Sequence, residues 1–168
     1  MKFAASLLIL SACAAPSFAA DSVARWRQIV GVITAPNVDN PVAGISAGTA
    51  PWTTRGGNAR VDLTTGSGSF DVEGLVLNGG NAAGTPGPIT SVVGTLVCNP
   101  GSDGTNNSPA QVVLDTPAAA LSPEGIAELS FKLNVPAACT NPLFLIRIPQ
   151  FGSRWIAAGA GRVATSTY

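Results

Sequence analysis

The sequence predicts an all-β protein, an antiparallel β-sandwich of about eight short strands held by one disulfide, with a β-barrel as the alternative architecture. Three observations carry this reading. Apolar residues recur with period two and almost nowhere with the helical period. The runs are short and separated by connections rich in Gly, Pro and Asn. Two cysteines, Cys98 and Cys139, stand far apart in a chain whose start reads as an export signal.

That start has the three parts of a secretory signal. Lys2 supplies a positive charge, Phe3 to Leu10 is apolar, and Ser17-Phe18-Ala19 is the small-x-small pattern of a cleavage site. Residues 1–19 are therefore expected to be removed, leaving a single domain over 20–168 that is secreted, extracellular or periplasmic. Leu10-Ser11-Ala12-Cys13 also fits a lipobox, in which Cys13 would be acylated. The complete ordinary cleavage site downstream favours Cys13 as a small apolar residue inside the signal. Later apolar stretches are interrupted by Arg147, Arg154 and Arg162, too soon for a transmembrane span.

Nine basic residues balance nine acidic ones, and loss of Lys2 makes the balance slightly acidic. Such a chain gives no electrostatic case for binding nucleic acid or an anionic membrane. Charged residues form only 11% of the chain, but the 46% apolar content supports a packed core over disorder.

The strands follow in order. Trp26 to Thr34 is the first candidate. Ala59, Val61 and Leu63 alternate with Arg60, Asp62 and Thr64, and after the turn-rich Thr65 to Ser69 a second arm runs from Phe70 to Leu77. The pair reads as a hairpin. Its pattern changes at Gly74, which predicts a bulge or a passage from a half-exposed to a covered position. Ile89 to Cys98 and Gln111 to Asp115 come next, and Thr116 to Gly125 is expected to hold one helical turn. Ala127 to Val135 alternates strictly, so one face packs inward and the other meets water. Leu143 to Ile148 is apolar on both faces, as in a central strand, and Arg154 to Ala158 ends the series. A Cys98–Cys139 bridge would close a long loop, worth roughly 4 kcal/mol in the chain-entropy model.

Chemical motifs are few, because the chain has no histidine. Gly44-Ile45-Ser46-Ala47-Gly48 matches GxSxG but lacks the flanking strand, the helix and the histidine base that a nucleophile elbow needs. Ser130 and Lys132 share an exposed strand face, where nothing desolvates the lysine enough to make it a base. Asp71 and Glu73 also share a face, roughly 7 Å apart by strand rise. That spacing suits the two carboxylates of a glycan hydrolase. The same pair, with Asp103 from the oxygen-rich loop Asp103 to Asn107, supplies candidate calcium ligands. The ordinary alternative is a solvated face on which Asp71 or Glu73 pairs with Arg60. The sequon at Asn106 is disfavoured by Pro109. With both cysteines committed, transition-metal ligands are lacking and no cofactor is expected.

Trp52 and Arg55 lie in the polar stretch Ala50 to Gly57, read as a loop. A loop tryptophan can stack on a sugar, anchor a protein partner, or fold over and plug the end of the domain. The expected function is therefore a non-enzymatic exported β-domain, a binding or structural module for a glycan or a surface protein. The alternative is a carboxylate-dependent glycan hydrolase built on Asp71 and Glu73.

Overall fold

The computed structural model describes residues 22–34, 38–101 and 108–164. The expected signal over 1–19, Cys13, Asp103 and Asn106 of the sequon lie outside the described residues. Every regular element described is a strand: β1 (Val23–Gly31), β2 (Trp52–Thr53), β3 (Gly56–Asp62), β4 (Ser67–Glu73), β5 (Val76–Leu77), β6 (Ser91–Cys98), β7 (Val112–Asp115), β8 (Ala119–Ala120), β9 (Ala127–Lys132), β10 (Leu143–Arg147) and β11 (Trp155–Ala164).

Eight of them form one antiparallel path in the order β7-β6-β10-β11-β1-β3-β4-β9, and β8 adds to β6. The sheet curls strongly, as a half-barrel. Its far edges come together where β8, hydrogen-bonded to β6, packs beside β9. A bulge at Ile146/Arg147 sharpens the local twist between β10 and β11. The strands β2 and β5 form a separate two-stranded ladder.

The inner face holds an aromatic cluster. Phe144 lies 5.5 Å from Trp26, 5.8 Å from Phe70 and 6.4 Å from Phe131, measured between ring centroids. Glycines make room for these rings. A Cβ on Gly94 would stand 2.7 Å from Phe144 and 3.0 Å from Phe70, one on Gly159 2.6 Å from Trp26, and one on Gly68 2.7 Å from Phe131. The strand glycines are thus seats for aromatic rings on neighbouring strands, which lets a tightly curved interior fill without voids.

Strand β6 is buried along nearly its whole length. The aromatic cluster covers one face. The segment Val38 to Ala50 covers the other, because it is tied on both sides of β6 and β10. Trp155 Nε1 donates to the Asn40 carbonyl at 3.0 Å and Arg154 Nη1 to Ala47 at 2.7 Å, while Gln111 Nε2 donates to Ala43 at 2.9 Å. Ala43 and Ala47 join the core. The Ser46 of the GxSxG string lies in this strap, where its hydroxyl donates to Asp39.

No helical turn forms at Thr116 to Gly125, contrary to expectation. Strands β7 and β8 are two halves of one line along β6, broken where Pro117 offers no N–H to the ladder. The Thr116 hydroxyl fills the gap. It accepts from the Gly94 N–H at 3.0 Å and donates to the Pro117 carbonyl at 2.8 Å. Thr116 is buried, so Thr116→Val should leave the Gly94 N–H unpaired. The expected cost is about 1–3 kcal/mol, read by urea denaturation.

The predicted hairpin is present as β3 and β4. Its turn is fixed by Asp62, whose Oδ1 accepts from the Thr64 and Thr65 amides at 2.8 and 3.1 Å. Those amides, Thr65 first, hold the Asp62 carboxyl below its ordinary range, and Arg60 adds a smaller pull. At Gly74, in a left-handed conformation with φ of 61°, the chain leaves the main sheet to become β5. Cys98 and Cys139 are disulfide-bonded, with Cα atoms 4.8 Å apart. Beside the bridge, Asn99 accepts from the Thr140 amide and hydroxyl and donates to the Ala138 carbonyl.

Candidate functional site

The short β2–β5 ladder builds one rim of the molecule. Trp52 donates its amide to the Val32 carbonyl at the end of β1, and its own backbone lies so close to Gly31 that a Cβ there would collide with the Trp52 carbonyl oxygen. Beyond β5 the chain folds back, with Leu77 accepting from Gly84 and donating to Thr85, and this brings the segment around Pro86 to Ile89 alongside. The third wall is the turn between β10 and β11.

Between these segments lies an apolar groove of about 250 Å³, walled by Trp52, Leu77, Pro86, Ile89, Ile148 and Phe151, with Arg154 at its margin. Phe151 is its unusual member. It stands 67% exposed, and its φ of 54° is left-handed. Gly152 and Ser153 continue in the same conformation at 80° and 54°. The turn is pinned from outside: Arg147 Nε donates to the Ser153 carbonyl at 2.8 Å, and the Ile148 amide to Arg154 at 3.0 Å. A left-handed bulky residue costs on the order of 1–2 kcal/mol. Here that strain aims an aromatic ring at solvent beside an apolar groove.

The residues singled out in the sequence fall in different places. Trp52 lies in a strand instead of a loop and is 4% exposed, so its ring walls the groove from within the core and offers no open face for stacking. Arg55 points the other way. Its side chain lies over Gly74, and its amide donates to the Glu73 carbonyl. The two are not brought together.

Asp71 and Glu73 stand on the outer face of β4, but neither opposes Arg60. Asp71 is opposite Asn58, which donates to its carboxylate, and Glu73 is opposite Gly56. Arg60 faces Ser69 instead. On its other side Asp71 is opposite Glu128, above a shallow groove that also includes Ser69 and Ser130. Among the described residues, no three Cys, Asp or Glu side chains gather as a metal site. Phe151 was not a candidate in the sequence. The available signal was an aromatic in the turn-forming stretch Pro149-Gln150-Phe151-Gly152-Ser153, where a polar residue is the usual choice.

Compared with known proteins, the chain matches no family model, no curated protein and no solved structure. The site must be read from its own chemistry.

Proposed function

We propose that the protein is an exported, non-enzymatic binding module whose rim groove takes an apolar side chain of a surface protein, with Phe151 as the anchor. The observation that carries the reading is the exposed, left-handed Phe151 beside the Trp52 wall. Retained strain and exposed apolar area at one point support a contact role, because each alone costs stability or solubility. The groove's lining favours a protein partner over a glycan: Thr49 and Arg154 are its main polar side chains, and sugars need several convergent hydrogen-bond partners. The disulfide suits an oxidising compartment, in keeping with the export signal. The hydrolase reading has weaker support, since Asp71 and Glu73 stand on an outward face and Asp71 is engaged by Asn58.

The test is a peptide-display selection on the wild-type protein, followed by affinity measurement on variants. Binders should lose at least tenfold on Phe151→Asp, as for an interface anchor. Selected binders that ignore this substitution would sink the proposal. Stability should move the opposite way. Phe151→Gly relieves the left-handed conformation and is expected to gain about 1 kcal/mol while binding is lost.

A further inference from the structure

The outer face of β1 and β3 carries three arginines that the rim groove does not use. Arg25 is directly opposite Arg60 across the two strands, and Arg27 follows two residues along β1 on the same face. All three are exposed. Directly opposed residues have Cβ atoms about 5 Å apart, and like charges so placed repel. Arg27 lies about 7 Å further along by strand rise.

The nearby carboxylates relieve this repulsion only in part: among the described residues none forms an ion pair with these arginines, and Asp62 attracts Arg60 only weakly. Asp71 is held by the Asn58 amide, and Asp62 by the Thr64 and Thr65 backbone. The ion pair formed among the described residues, Arg147 with Asp115 at 2.9 Å, lies at the other end of the sheet. The balanced net charge of the chain therefore hides a local excess of guanidinium.

We infer that Arg25, Arg27 and Arg60 form an anion site for a sulfate or phosphate ester carried on a polysaccharide. A guanidinium fork matches the paired oxygens of such an ester, and opposed arginines give it two forks from adjacent strands. The row beyond Arg60 continues with Ser69 and then Ser130, whose hydroxyls suit a sugar chain crossing the strands. The next row presents Asp71 and Glu128. These repel a polymer with closely spaced charges, so a sparsely esterified glycan fits where a nucleic acid does not.

The experiment measures binding of sparsely sulfated dextran, sparsely phosphorylated dextran, unmodified dextran and single-stranded DNA to the protein by calorimetry. At about 50 mM salt the esterified dextrans should bind and the unmodified one should not, with the tighter ester naming the group. Arg25→Gln/Arg60→Gln should weaken binding at least tenfold and reduce the salt slope by about two. Its melting temperature should stay level or rise, since repulsion is removed. Lys132→Gln, on β9 at the far edge, and Phe151→Asp, at the separate rim, should each bind the esters within twofold of wild type. The inference falls if the esters bind no better than plain dextran, if Lys132→Gln is as damaging as the double variant, or if the DNA binds more tightly than the esters.

Discussion

Phe144→Ala should cost about 3–5 kcal/mol, among the largest losses any single side chain here can produce. Phe144 is 1% exposed and touches Trp26, Phe70 and Phe131, so its removal opens a void that three rings border. The surrounding strands belong to one hydrogen-bonded sheet and cannot collapse into the space independently. Chemical denaturation of the variant reads the loss directly. Gly94→Ala attacks the same contact from the other side. Its new methyl would stand 2.7 Å from the Phe144 ring, and overpacking of that kind costs about 1–3 kcal/mol. In combination, Gly94→Ala with Phe144→Leu should lose less than the sum of the two single losses, because the smaller side chain leaves room for the methyl. Strict additivity would show that Gly94 is not the seat of this ring.

Replacing both Cys98 and Cys139 by alanine should cost about 2–5 kcal/mol and lower the melting temperature by roughly 10 °C. The crosslink joins the end of β6 to the segment entering β10, with 41 residues of sequence separation, so the unfolded chain gains much freedom when it is removed. The folded structure keeps a second tie at the same place. Asn99 binds Thr140 and Ala138 through four hydrogen bonds, counting its own amide to the Thr140 carbonyl at 2.9 Å. The double variant is therefore expected to fold, with the same far-ultraviolet circular dichroism as wild type. A melting temperature unchanged by the substitution would mean that this clasp alone closes the loop.

The all-β class, the β3–β4 hairpin and the Cys98–Cys139 pairing were legible in the sequence because each depends on local or covalent rules. Alternation at Ala59 to Leu63 reports which side of a strand is dry, and Cys98 and Cys139 are the only cysteines beyond the N-terminal stretch that holds Cys13. The helical turn expected at Thr116 to Gly125 is absent for a physical reason. Pro117 breaks a ladder as surely as it breaks any other pattern, and only the Gly94 amide, distant in sequence, shows that the Thr116 hydroxyl carries the strand across the gap. Likewise, Trp52 looked like a loop residue until β5 arrived to pair with it.

The binding surfaces depended still more on the tertiary arrangement. Along β1 the alternation slips, with Arg27 and Gln28 both exposed between buried Trp26 and Ile29; period-two patterning determined that Arg60 would face outward, since strand parity is a local property. It could not say that β1 and β3 are neighbours in a register opposing two positive charges, because register is set by which strands meet in the folded sheet. The exposure of Phe151 was undetermined for the same reason. A turn residue is buried or open according to the segments that pack beside it, and those come from β2, β5 and the stretch before β6. What the residues decide alone is which side of each strand is wet; what the fold decides is which wet or strained groups become neighbours, because that information resides in contacts between positions far apart along the chain.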